Sequence, residues 1–221
     1  NTGVGHDALT ATTTGSDLVA VGKDALKANT TASNNVAVGS GALATSTTAT
    51  DNVAVGFQAL NVNSSGANNV ALGNEAGQHI TTGSRNTIVG SEAGEEATST
   101  DDSTLIGYNA GGGAVMTGHD NVAVGANALT AATSGASNVV VGKDAGLAIS
   151  TGANNVAVGF EALKTEDQNG DNVAVGHQAL KTLNAGADGH NVAVGYTSGT
   201  SMTTGQYNAL MGSGAGKQLT D

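Results

Sequence analysis

The chain has 221 residues, of which 34 are Gly, two are Phe and three are Tyr, and it contains no Pro, Cys or Trp. So few large side chains cannot fill one thick core, so the composition favours a thin core that is repeated many times. The formal net charge of −11 argues against binding to nucleic acid or to anionic lipid. The lack of Cys excludes disulfides and thiolate metal sites.

One phrase, Asn-Val-Ala-Val-Gly, recurs along the whole chain, and residues 52–56 are a complete copy. Ten of the twelve intervals between copies are 17 residues long, and the other two are 18 and 19. A repeat this regular predicts a solenoid. We number the repeat from its Asn, so that its final Gly is position 5. The thirteen copies end at Gly5, Gly22, Gly39, Gly56, Gly73, Gly90, Gly107, Gly125, Gly142, Gly159, Gly176, Gly195 and Gly212.

The repeat reads as one strand followed by a return path. Positions 2 and 4 are aliphatic or β-branched in nearly every copy, which indicates a short β-strand ended by Gly at a tight corner. Positions 13–17 are rich in Thr, Ser, Gly, Asn and Asp, as connecting loops are. We therefore predict an all-β fold, a parallel β-solenoid (β-roll) of thirteen 17-residue coils, with residues 1–221 as a single repeat domain. Because the chain lacks an initiator Met and begins on the first residue of a repeat, we expect a segment of a longer fibrous protein.

Position 3 carries no polar residue in any copy, although it lies on the strand face opposite positions 2 and 4. We interpret this pattern as a second buried face that packs against like chains, and we predict a homotrimer. The predicted oligomer interface consists of Ala20, Ala37, Ala54, Ala71, Ile88, Leu105, Ala123, Val140, Ala157, Ala174, Ala193 and Leu210.

Two other positions show a regular pattern. Asn at position 1 is expected to form a ladder of side-chain amides along one corner of the solenoid. That ladder consists of Asn35, Asn52, Asn69, Asn86, Asn121, Asn138, Asn155, Asn172 and Asn191. Position 9 is Leu or Gly, and the choice is matched at position 12: Leu60 is followed by the polar Asn63, whereas Gly77 is followed by Ile80. One interior slot is thus predicted to be filled from either position.

With its Asn-Val-Ala-Val-Gly phrase and the Ala that follows at position 8, the chain resembles the head repeats of trimeric autotransporter adhesins. It is also similar to phage tail-fibre repeats, whose units read much like residues 69–77. The resemblance implies a left-handed parallel β-roll in which three chains pack into one trimer. The 17-residue period is longer than that of the usual adhesin head repeat.

The residues offer little for catalysis, and we expect neither enzyme activity, nor a cofactor, nor a bound metal. The five His residues have no metal-ligand spacing. A cation on the corner that carries Asp17, Asp51, Asp102, Asp120 and Asp171 stays open as an alternative. Phe160, His177 and Tyr196 share position 6 of three consecutive coils. They are predicted to form an exposed strip, which either covers backbone or contacts a glycan or protein receptor.

The function expected from these features is structural. The chain is interpreted as a segment of an extracellular fibre, either a phage tail fibre on the virion or an adhesin stalk or head on the bacterial surface. Its partner would be itself, with no direct membrane insertion in this segment. One alternative is a module that binds a cell-surface glycan or host protein through the solenoid wall. A further alternative is a self-assembling filament subunit, because an uncapped solenoid end can add strands.

Overall fold

The computed structural model describes residues 1–186 and 188–220, and within them the fold is all-β. The described residues hold no helix long and apolar enough to span a membrane. Each strand is three residues long and covers positions 2–4 of a repeat, so the predicted parallel β-solenoid with coils of about 17 residues is confirmed. The strands are β1 Thr2–Val4, β2 Val19–Val21, β3 Val36–Val38, β4 Val53–Val55, β5 Val70–Leu72, β6 Thr87–Val89, β7 Thr104–Ile106, β8 Val122–Val124, β9 Val139–Val141, β10 Val156–Val158, β11 Val173–Val175, β12 Val192–Val194 and β13 Ala209–Met211.

The chain forms two compact units. The first, Asn1–Met116, contains β1–β7, and the second, which begins at Thr117, contains β8–β13. Within each unit, consecutive strands pair in parallel and place equivalent repeat positions side by side. The 19-residue interval before β12 does not disturb this register, because Val173 still pairs with Val192. The two extra residues are therefore absorbed by the loop, as expected of a solenoid.

Position 3 lies inside its own coil, and the predicted oligomer interface must be corrected. Eleven of its twelve residues have no exposed surface in the single chain, and Leu210, in the last strand, is only partly exposed. A Cβ on Gly3 would lie 3.4 Å from Cδ1 of Leu9, so position 3 faces the interior side chain at position 9. The coil is thin, and a small residue at position 3 leaves room for that larger side chain. The buried residues are Ala20, Ala37, Ala54, Ala71, Ile88, Leu105, Ala123, Val140, Ala157, Ala174 and Ala193.

Positions 2 and 4 point outward instead and form what we call the valine face. Val19, Val21 and Val55 are each 37% exposed, and no strand carries a charged residue. In the first unit the valine face consists of Thr2, Val4, Val19, Val21, Val36, Val38, Val53, Val55, Val70, Leu72, Thr87, Val89, Thr104 and Ile106. In the second unit it consists of Val122, Val124, Val139, Val141, Val156, Val158, Val173, Val175, Val192, Val194, Ala209 and Met211.

The core of each coil is completed by positions 8, 9 and 12. Position 8 is a fully buried Ala in most coils, and Leu60 at position 9 has no exposed surface. A Cβ on Gly77 would lie 3.2 Å from Cδ1 of Ile80 and 3.1 Å from Cδ2 of Leu60. The side chain at position 12 therefore occupies the space that a position-9 side chain would fill. Leu180 and Leu183, which depart from the matched pattern, are both fully buried in the coil that carries the insertion.

The coil turns through left-handed backbone at positions 7, 9 and 17. Position 9 has a φ of 48° at Leu60 and 59° at Gly77. Gly adopts this left-handed backbone without strain and Leu does not, so the choice between them affects backbone strain as well as side-chain volume. Position 7 is left-handed in all thirteen copies, as at Asp24 and Gln58. The Gly at position 5 meets a second constraint, because a Cβ on Gly39 would overlap the carbonyl of Gly56 in the next coil.

The Asn residues at position 1 form a buried ladder that bonds mainly to backbone. Asn35 Oδ1 accepts from the backbone N–H of Asn52 at 2.9 Å, and Asn52 Oδ1 accepts from that of Asn69 at 2.9 Å. The Nδ2 of Asn52 donates to the carbonyl of Gly66, 14 residues further along, at 3.0 Å. Most of these amides therefore tie a strand to the loop of the same coil and to the strand of the next. Direct amide-to-amide bonds also occur, as from Asn86 to Asn69 at 3.0 Å.

Candidate interaction surfaces

The valine face is an apolar stripe along each unit. Because the strands pair in register, Val38, Val55 and Leu72 form one continuous row of outward side chains in the first unit. Val36, Val53 and Val70 form a second row, two residues away on the same strands. Single exposed apolar residues are common on soluble proteins, but a contiguous apolar patch marks an interaction site. The face lies on the opposite side of the strands from the interface predicted at position 3.

The predicted aromatic strip exists as a stack. The ring centroids of Phe160 and His177 lie 5.2 Å apart with an interplanar angle of 29°, and those of His177 and Tyr196 lie 5.1 Å apart at 22°. Phe160 is 39% and Tyr196 59% exposed. Stacking directs the faces of the inner ring toward its neighbours, so ring edges make up much of the surface that the strip offers.

A second stack was not predicted. His190 and Tyr207 lie 5.1 Å apart with an interplanar angle of 21°. Each is the last residue of its repeat, directly before the next Asn, and both have left-handed backbone, with φ values of 48° and 60°. Their shared repeat position was the signal that could have found them.

Beside the aromatic strip, Glu161 at position 7 is held by three side chains. Lys164 Nζ lies 2.6 Å from Glu161 Oε1, Lys181 Nζ lies 2.7 Å from Oε2, and Gln178 Nε2 donates to Oε2 at 2.8 Å. The Glu161 side chain is only 12% exposed. The hydrogen bonds from Lys164, Lys181 and Gln178 lower the pKa of Glu161 from 4.5 to about 2.

Replacing Glu161 with Gln is expected to destabilise the fold by about 1 kcal/mol at pH 7, because charge-assisted hydrogen bonds are lost. The pKa of Glu161 in the folded chain lies below its ordinary value of 4.5, so the stabilisation is fully present above pH 4.5. It is then lost as the pH falls toward 2. Thermal unfolding of both proteins between pH 7 and pH 2 should give curves that converge over this window. A constant difference across the whole range would contradict this account.

A depression of about 750 Å³ lies in the first unit, on the segments that follow the strands of the first four coils. Its floor is formed by Ser40, Gly41 and Ala44, which are the small residues of the third coil at positions 6, 7 and 10. The second coil places Lys23, Asp24 and Lys27 at these positions, and the fourth places Phe57, Gln58 and Asn61 there. The sequence analysis did not predict this depression. Comparing the residues at these three positions in successive coils would have revealed it, because the third coil alone has small residues at all three.

Two groupings of acidic side chains are candidate cation sites. Asp17, Asp51 and the other Asp residues that end a repeat have left-handed backbone, which Asp and Asn adopt more readily than most residues. Asp51 accepts a hydrogen bond from Asn34 at 2.9 Å. His6, Asp7 and Asp24 place possible ligand atoms within 4.8 Å of one another, but Lys27 Nζ lies 3.2 Å from Asp7 and 2.9 Å from Asp24. The Lys27 ammonium therefore lies beside both carboxylates of the second grouping and offsets part of their charge.

No family model matches the chain, and neither a curated protein nor a solved structure matches it. The structure therefore assigns the protein only to a structural class, that of parallel β-solenoids built from tandem repeats. The resemblance to adhesin heads and tail fibres rests on the repeat phrase alone.

Proposed function

We propose that this chain is a structural segment of an extracellular fibre and that three copies associate through their valine faces. The fibre would belong to a virion tail or to a bacterial surface, and it would carry or present a receptor-binding part. The observation that carries this proposal is the valine face, an uncharged and mainly aliphatic set of outward side chains repeated strand after strand in each unit. Association with like chains would remove these side chains from water.

The width of the face favours three chains. Each strand contributes two outward side chains, which lie about 7 Å apart along the strand. Three such narrow stripes can meet along one axis and cover one another completely. Because the register of the strands is constant within each unit, every coil would present the same contact to its partners. The predicted trimer is therefore retained as a proposal, but its interface moves from position 3 to positions 2 and 4.

The test changes charge on the valine face and follows assembly. Substituting Val38→Asp, Val55→Asp and Leu72→Asp together should convert the trimer to a folded monomer in sedimentation-velocity experiments, because nine carboxylates would meet near the axis. A control variant places three charges on exposed loop residues of the same unit, Thr14→Asp, Thr31→Asp and Ser65→Asp. The control should still form trimers. If the valine-face variant assembles as well as the control does, the proposed interface is wrong.

A second candidate is a binding module that uses the solenoid wall. It is favoured by the stack of Phe160, His177 and Tyr196, whose outer rings are exposed. In this role the strip would contact a glycan or a host protein, and removing its rings would abolish that contact while the coils stay folded. Filament growth through the solenoid ends would be a third role.

A further inference from the structure

We propose that the depression on the first unit binds a neutral oligosaccharide. It is formed by residues at positions 6, 7, 10 and 11, whereas the valine face uses positions 2 and 4. The proposal therefore goes beyond the role as a fibre segment and does not depend on assembly. The volume of the depression, about 750 Å³, falls within the roughly 300–1,000 Å³ typical of small-molecule sites.

The depression exists because one coil is smaller than its neighbours. At position 10, Ala44 stands between Lys27 of the preceding coil and Asn61 of the following coil. At position 7, Gly41 stands between Asp24 and Gln58, and its φ of 73° keeps the left-handed backbone of the column. The backbone of the third coil therefore follows the same path as in the neighbouring coils, but its side chains here are smaller. The missing side-chain volume leaves a recess with two walls.

One wall offers an aromatic ring. Phe57 is 48% exposed and lines the depression. It occupies the same repeat position as Phe160, but Phe160 is stacked on His177, whereas Phe57 has Ser40 and Asn74 at position 6 of the adjacent coils. Its ring is therefore not covered by another ring from either neighbouring coil. An open ring face is the surface on which the apolar face of a sugar can pack.

The other wall offers charges that cancel. Lys27 Nζ donates to Asp24 Oδ1 at 2.9 Å and lies 3.2 Å from Asp7, and Lys23 Nζ lies 3.9 Å from Asp24. Two ammonium groups thus face two carboxylates. The hydrogen bond from Lys27 lowers the pKa of Asp24, so this carboxylate stays ionised. Asp24 lies in the lining and Asp7 lies beside it, so the ammonium groups are paired with carboxylates. A wall whose charges are already paired fits a neutral ligand better than an anionic one.

The remaining polar groups complement hydroxyls, which both donate and accept hydrogen bonds. Gln58 Oε1 accepts from Gln78 Nε2 at 2.6 Å, so the amide nitrogen of Gln58 remains to donate. Asn61 Nδ2 donates to the carbonyl of Gly41 at 2.8 Å, so its Oδ1 remains to accept. These two bonds also hold the amides in place before a ligand arrives. One open ring beside fixed donors and acceptors is the chemistry that recognises a sugar with several hydroxyl groups.

The proposal is tested by calorimetric titration of the whole chain with maltotriose, cellotriose and N,N′,N″-triacetylchitotriose. Charged 3′-sialyllactose serves as the comparison. At least one neutral trisaccharide should bind, and more tightly than sialyllactose does. Phe57→Ser should weaken that binding by at least about tenfold, because the open ring is lost. Ala44→Gln should do the same by filling the recess, and the fold should tolerate it because the next coil but one carries Gln78 at this position.

Phe160→Ser reports on the aromatic strip. The matched control is Tyr108→Ser, which removes an exposed ring at the same repeat position of another coil in the first unit. Both should leave trisaccharide affinity unchanged. The proposal is overturned if no neutral trisaccharide binds, if sialyllactose binds more tightly, or if Ala44→Gln binds like the wild type. Loss of binding in Phe160→Ser alone would assign the ligand to the aromatic strip instead. Sedimentation of the same samples reports assembly separately, so failure of this site and failure of the fibre proposal are distinguishable.

Discussion

Ala54→Glu is expected to unfold the first unit or to destabilise it by at least about 3–5 kcal/mol, because it places an unpaired carboxylate in the interior. Ala54 has no exposed surface, and Ala37 and Ala71 flank it in the paired strands. The larger side chain would also overpack the thin coil. Chemical denaturation followed by circular dichroism measures the effect.

The matched variant is Val55→Glu, one residue further along the same strand. Val55 is 37% exposed, so its carboxylate can stay in water. The monomer should lose no more than about 1 kcal/mol, which is the scale of strand propensity. Two adjacent substitutions would thus have opposite outcomes, with loss of folding at Ala54 and loss of association at Val55. A folded Ala54→Glu chain would mean that position 3 does not face the interior.

The second large effect concerns the slot shared by positions 9 and 12. Leu60→Gly should destabilise by about 1–4 kcal/mol, because the cavity left by a buried Leu costs about 2–5 kcal/mol and relief of its left-handed backbone returns about 1. Asn63→Ile alone should also destabilise, by about 1–3 kcal/mol, because two large side chains would compete for one space.

The double variant Leu60→Gly with Asn63→Ile should be more stable than either single variant. It reproduces the arrangement of Gly77 and Ile80 in the next coil. The substitution also removes Asn63 Oδ1, a buried atom without a hydrogen bond among the described residues. The carbonyl of Gly66, which Asn63 bonds, keeps its bond from Asn52. Denaturant unfolding of the wild type, the two single variants and the double variant gives the coupling free energy between the two substitutions. Strictly additive losses of unfolding free energy would refute the shared slot.

The fold was readable from the sequence because the repeat is short and strict. The 17-residue interval, the alternation ended by Gly and the Asn at position 1 together predicted strand, corner and ladder, and each lies where expected. The interior pairing of Leu60 with Asn63 and of Gly77 with Ile80 could be inferred in the same way, because a fixed volume correlates the two positions.

The direction of the strand faces could not be read from the alternation. A period of two separates the faces but does not say which one is inward. Position 3 was predicted to face outward, whereas it faces inward and is mostly Ala, as at Ala54 beside the exposed Val55. Larger residues such as Ile88 and Leu105 occupy position 3 where position 9 of the same coil is Gly. The size of a strand side chain in this fold therefore depends more on the space available at its position than on whether that position is buried.

The candidate sites were only partly predictable. The strip of Phe160, His177 and Tyr196 follows from shared repeat positions, because stacked coils bring equivalent residues together. The depression near Phe57 exists because the side chains of Ser40, Gly41 and Ala44 are small. Small residues carry no binding or reactive group, so nothing in their chemistry indicates a site. Position 7 varies in sequence from coil to coil, but its left-handed backbone restricts it largely to Gly and to polar residues such as Asp, Asn, Gln and Glu.

The most direct test of the proposed fibre role is the mass of the unmodified chain in solution at micromolar concentration. Sedimentation equilibrium or native mass spectrometry should give about three times the chain mass of 21.3 kDa. The valine faces would then be covered, and hydrogen–deuterium exchange of residues 36–38 and 53–55 should be slow. A stable, folded monomer with the valine face exposed would contradict the proposal.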